Sequence, residues 1–336
     1  MNYSKTEQFR NTNLDLVKVF LMFFIIMHHL FLRTCGLREL TTESYSYNIS
    51  PLFINSFFVV AVNIYFLISG YFGIKKNTLK LTKIIMSVYF FYWLINILGI
   101  ALGKQKIDTE FIKGLVFPIS QYWFVLVYII LSLIAPFLNL ALEHLDLEKQ
   151  KKFILALLFI WCGYAFLIDN EVLGANRGYS LGFAMILYLI GDYLRKRNFL
   201  ISSKCLFGLY LLSSSINGIL VVFSVVLVHN QKLAWQLYSY NNPFVLFGSI
   251  CLFLAFNYNL TRPFISISKL SRYSLYIYVV HSTPIFADFY IEMFRKINYK
   301  NMIIQYILIF LFAGLLFAIG LVLGKLYNFI WDLLKR

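Results

Sequence analysis

Ionisable side chains buried in an apolar stretch give the first sign of chemistry. Residues 14–34 are mostly apolar yet contain Asp15, Lys18, His28, His29 and Arg33. Holding an ion at mid-helix in a bilayer costs about 2.5–3.5 kcal/mol on insertion scales, so such residues are functional candidates by default. At 100° per residue, Asp15, Lys18, His29 and Arg33 share a stripe about 60° wide, and His28 falls outside it. His29 lies 14 residues beyond Asp15, which is about 21 Å along a helix and in the outer half of a membrane. An imidazole titrates near neutrality, so His29 facing a bundle interior could take a proton from a hydroxyl. The competing reading has either histidine bonded to a neighbouring carbonyl, Lys18 snorkelling to headgroups and Arg33 marking the outer interface.

Other polar groups are weighed in the same way. Ser274, His281, Asp288 and Glu292 fall on nearly one helical face, with Pro284 expected to kink it. His281 would sit near the midplane and Asp288 at the depth of His29, where a carboxylate could orient an imidazole or simply be an outer-loop acid. Residues 73–83 hold Lys75, Lys76, Lys80 and Lys83 and no acid. That cluster suits a topology signal or anionic-lipid anchor, and equally a dock for an anionic cytosolic donor. Gln121, Tyr122 and Trp123 are placed at the outer interface as an aromatic belt or a sugar-stacking floor. Ser213, Ser214, Ser215 and Asn217 read as helix-packing residues.

These groups need a scaffold, and composition says which kind. The chain has 336 residues, 60% hydrophobic and 13% charged, with mean hydropathy +0.73. Soluble domains carry about 25% charged residues, so this is an integral membrane protein. Disordered, collagenous and disulfide-scaffold classes are excluded. Ten spans are predicted, at 14–34, 52–73, 84–103, 119–142, 153–169, 178–195, 205–229, 243–260, 272–294 and 301–330. The predicted fold class is therefore an all-α polytopic transmembrane bundle with short loops, a single membrane-embedded domain over 1–336. The first span is expected to be retained, since it holds polar residues and no cleavage site follows. Placing both termini in the cytoplasm puts 20 of the 30 Lys and Arg inside, among them Lys5, Arg10, Arg195, Arg262, Lys335 and Arg336. In that topology Asp169 and Glu171 lie in an outer loop. Cys35, Cys162, Cys205 and Cys251 lack paired spacing, so neither a metal site nor a disulfide is expected. No phosphate loop or internal repeat is visible, which weakens but does not exclude a transporter.

Four segments then carry a resemblance. Leu14-Asp15-Leu16-Val17-Lys18, ending in Met27-His28-His29, resembles the opening helix of acyltransferase family 3, the integral membrane O-acyltransferases. Asn63-Ile64-Tyr65-Phe66-Leu67-Ile68-Ser69-Gly70-Tyr71-Phe72 is similar to the end of that family's second span. Tyr122-Trp123-Phe124 with Ala135-Pro136-Phe137-Leu138-Asn139 resembles its fourth, and Ser274-Leu275-Tyr276-Ile277-Tyr278-Val279-Val280-His281 its penultimate one. The resemblance implies about ten helices and transfer of an acyl group, expected to be acetyl, from cytoplasmic acyl-CoA. The acceptor it implies is a hydroxyl on an extracytoplasmic cell-surface polysaccharide or lipid-linked glycan, at the cell membrane. No bound cofactor is implied; acetyl-CoA is a co-substrate.

The resemblance puts the essential histidine at His29. It also implies paired arginines spaced Arg-x-x-Arg after the second span, where this chain has Lys80-x-x-Lys83, lacking the guanidinium fork. The expected catalytic set is His29 with His28, Arg33 and Asp288; the donor-binding set is Lys75, Lys76, Lys80 and Lys83; the acceptor-binding set is Tyr122, Trp123 and His281. Direct attack assisted by His29, with Arg33, Trp123 or Tyr122 facing the oxyanion, and a two-step route through acyl-histidine both fit. A glycan transporter or flippase is the runner-up.

Overall fold

The computed structural model describes residues 12–34, 45–105, 107–169, 174–197, 200–259, 267, 269–296 and 302–334. Lys5, Arg10, Cys35, Glu171, Arg262, Lys335 and Arg336 lie outside the described residues. The elements are α1 Thr12–Thr34, α2 Tyr45–Asn55, α3 Ala61–Phe72, α4 Thr78–Ala101, α5 Thr109–Val116, α6 Trp123–Glu143, α7 Leu147–Leu158, α8 Ala165–Ile168, α9 Leu181–Lys196, α10 Ser203–Val226, α11 Gln231–Leu237, α12 Pro243–Asn259, α13 Ser274–Ser282, α14 Pro284–Lys296 and α15 Met302–Leu333. No strand occurs among the described residues.

Six helices are long and apolar enough to cross a membrane: Asn13–Arg33, Thr78–Ala101, Trp123–Glu143, Leu147–Ile168, Ser203–Val226 and Ile303–Leu333. The other four expected segments are shorter or broken. Helices α9 and α12 have 16 and 17 residues. The second expected span divides into α2 and α3, because Ser56, Phe57 and Phe58 bond back to Phe53, Ile54 and Asn55 in tight i→i−3 turns. The ninth divides at Thr283-Pro284. Proline has no N–H and pushes its predecessor out of the helical region, and Thr283 has ψ 126°.

Helix α1 is the centre. Its apolar window is 67% buried, the highest share among the six long helices, and α2, α3, α12, α13, α14 and α15 all touch it. Helix α3 is held against α9 by small residues. A Cβ on Gly70 would lie 2.0 Å from the Tyr188 carbonyl oxygen, and one on Gly191 2.2 Å from that of Leu67. Small residues at such crossings let backbones touch. Gly70→Val should therefore separate α3 from α9 and cost at least the roughly 1–3 kcal/mol typical of overpacking. The thermal midpoint of the purified protein, followed by size-exclusion chromatography, reads this; an unchanged midpoint would refute the close crossing.

At the far end of Leu147–Ile168 from the basic loop, Arg177 Nε and Nη2 donate to Asp169 Oδ1 and Oδ2 at 3.1 and 2.9 Å, and Lys232 Nζ lies 3.4 Å from Oδ2. The Arg177 hydrogen bonds hold the Asp169 carboxyl below its ordinary range, against a smaller opposing effect of burial. A carboxyl lowered on folding adds stability above its unfolded pKa of about 3.9 and loses it as pH falls through the folded value. Asp169 has φ 48°, a conformation Asn also tolerates, so Asp169→Asn isolates the charge. The variant should be less stable at pH 7, by no more than ~1 kcal/mol, and the gap should narrow as pH falls below about 4. Paired melts at pH 7 and pH 3 check both parts.

Candidate active site

Two histidines 252 residues apart meet where α1 crosses α13. His29 Nδ1 lies 3.1 Å from His281 Nε2, with ring centroids 5.1 Å apart. His281 is fully buried, and its Nδ1 lies 2.7 Å from the Ile277 carbonyl oxygen. A carbonyl only accepts, so His281 Nδ1 carries the hydrogen and its Nε2 is the acceptor. His29 Nδ1 must then donate to His281 Nε2. With both rings neutral, the lone pair of His29 resides on Nε2. The Ser282 hydroxyl, 3.3 Å away, is a second donor to His281 Nε2. A base whose tautomer is fixed by a second group is the arrangement general-base chemistry needs, and here a backbone carbonyl anchors the relay.

The helical phase of α1 separates the neighbouring histidine. His28 points the other way, where its Nδ1 donates to Asn55 Oδ1 at 2.9 Å at the end of α2. Arg33, one turn beyond His29, donates from Nη1 to the hydroxyl of buried Tyr290 at 3.2 Å. Asp15 and Lys18 form an ion pair at 3.3 Å.

The break after α13 redirects α14. Beyond Pro284 the expected face is lost: Asp288 is exposed and makes no hydrogen bond to either imidazole, while Glu292 pairs with Lys104 at 3.5 Å. The carbonyl of Ile277 holds His281 in place of a carboxylate. Tyr122 is fully buried rather than interfacial, its hydroxyl 2.8 Å from Thr283 Oγ1. Thr283 Oγ1 itself donates to the Val279 carbonyl, so Tyr122 is the donor to Thr283 and its proton is committed to bracing the break. Trp123 stacks on Tyr240 at 5.6 Å and tilts against Tyr179 at 4.6 Å.

A cleft of about 1340 Å³ comes within one helical turn of the pair, and neither histidine lines it. Lys75, Lys76, Lys80 and Lys83 line it together with Arg272 from the turn before α13. Gly73, with φ 69°, turns the chain out of α3 into this basic loop, and Asn77 caps α4 by accepting from Lys80 N at 2.8 Å. Apolar and aromatic residues, among them Met22, Ile25, Ile68, Phe124, Tyr128 and Tyr278, line much of the rest. Ile25 precedes His29 by four residues and Tyr278 precedes His281 by three, so both cleft-lining residues lie one turn below the pair. Arg272, Tyr278 and Phe124 were not singled out from sequence. The signal existed for Tyr278, which shares the Ser274–His281 face at helical spacing.

Among the described residues no group of three or more His, Cys, Asp or Glu could hold a metal. Cys162, Cys205 and Cys251 are free thiols.

A family model described as an acyltransferase domain, that of acyltransferase family 3, matches residues 11–324. No curated protein and no solved structure matches the chain.

Proposed function

This chain belongs to acyltransferase family 3, and from that premise we propose that it carries an acyl group, acetyl by expectation, from cytosolic acyl-CoA to a hydroxyl of a cell-surface polysaccharide or lipid-linked glycan. The observation that carries the reading is the His29–His281 pair, 3.1 Å apart, above a cleft with a cationic mouth. Phosphate groups of the donor bind Lys75, Lys76, Lys80, Lys83 and Arg272, and the pantetheine arm follows the apolar wall upward. The acceptor hydroxyl attacks the thioester carbonyl while His29 Nε2 takes its proton. A carbon–oxygen bond forms, the carbon–sulfur bond breaks, and the imidazolium returns the proton to the departing thiolate, giving the ester and CoA thiol. His281 is a positioning residue that fixes the tautomer. Arg33 supplies positive charge one turn away for the developing oxyanion.

The matching topology has ten crossings, four of them made by short or broken helices, in one membrane-embedded unit. Both termini lie in the cytosol, the basic mouth faces the cytosol, and the protein resides in the cell membrane. Broken helices are tolerable in lipid where protein surrounds them, as it does around α2–α3 and α13–α14.

Purified protein in liposomes, given radiolabelled acetyl-CoA and the polysaccharide, tests this. Label transferred covalently to the glycan supports the reading. Glycan crossing the vesicle without gaining label would replace it with transport.

A further inference from the structure

The apolar part of the cleft differs chemically from its cationic part. Phe124 and Tyr278 meet there edge to face, with ring centroids 5.5 Å apart, and Tyr278 also sets its ring against His281 at 5.8 Å. Phe66 backs Phe124 at 5.0 Å and Tyr122 backs Tyr278 at 6.4 Å, so neither ring is loosely held. Met22 and Ile25, both buried, complete an apolar chamber under the pair. A ligand with phosphates at the mouth and a hydrocarbon tip at the end matches this gradient. The space for that tip is bounded by these two rings together with Met22 and Ile25.

We propose that Tyr278 and Phe124 are the stop against which the acyl chain of the donor ends, making them the residues that select a short acyl group. The inference rests on the acyl-CoA reading above. In this reading the acetyl methyl ends at the rings, and each added methylene must push against them. Apolar pockets separate chains differing by one methylene by about 10–200-fold, and a longer chain multiplies the effect. Replacing either ring by a small side chain lengthens the apolar part of the cleft and admits longer chains.

The test is titration of the full-length protein in detergent with CoA, acetyl-CoA, butyryl-CoA and hexanoyl-CoA, which needs no acceptor. The wild type should bind acetyl-CoA at least about tenfold more tightly than hexanoyl-CoA. Phe124→Ala and, separately, Tyr278→Leu should each raise the hexanoyl-to-acetyl affinity ratio by at least about tenfold. Either variant that elutes as a monodisperse species suffices. A wild type that binds hexanoyl-CoA as tightly as acetyl-CoA overturns the inference without any variant, as does a ratio that stays within twofold in a folded variant. If neither CoA nor any thioester binds the wild type, the donor reading itself fails, and the inference with it.

Discussion

His29→Ala is expected to reduce acyl transfer by about 10²–10⁴-fold, which in a cellular assay is loss of the polysaccharide ester. The reason is the direction of the hydrogen-bond relay. His281 Nδ1 is committed to the Ile277 carbonyl, so the relay ends with its lone pair on His29 Nε2. His28 is not placed to substitute, since it faces Asn55. Mass spectrometry of the surface polysaccharide reads the loss, and membrane extraction with size-exclusion chromatography shows whether the protein is intact. A folded variant that still acylates at the wild-type rate would remove His29 from the mechanism.

His281→Leu should produce the second-largest loss, about 10²-fold, as expected when a reacting group is misplaced by about 1 Å. Leucine fills the buried volume but can neither accept from His29 Nδ1 nor donate to Ile277. His281→Gln can do both, through its amide oxygen and nitrogen, and should recover at least about tenfold of the deficit. If His281 served only to fill space, leucine would be the better replacement and glutamine the worse. Initial rates of the two variants at saturating acetyl-CoA decide the matter.

What could be read from the chain in advance depended on unbroken helical phase. Helix α1 runs without interruption from Thr12 to Thr34, so one 100° step per residue correctly sends His29 and His28 to different neighbours. The same rule fails after Pro284, where the phase restarts and Asp288 turns outward. The division between α2 and α3 is hidden in the sequence because the residues forming the tight turn include three phenylalanines, which fit an unbroken apolar span over 52–73. Tyr122, expected in an aromatic belt or a sugar-stacking floor, is instead buried inside the protein. A tyrosine at a span end suits a headgroup belt, and only the position of Thr283 explains why this one turns inward. Tyr278 and Phe124 were lost among 24 tyrosines and 35 phenylalanines, where aromatic content alone marks no position.

The placement of α1 has a consequence for biogenesis. This helix is made before the other described helices, yet the neighbours that enclose its polar stripe, α13, α14 and α15, are the last of these to be made. Until residue 281 has been synthesised and inserted, His29 has no relay partner. The same delay leaves Asp15, Lys18 and Arg33 without their final surroundings for most of translation, so early insertion of this segment depends on whatever holds it at the translocon.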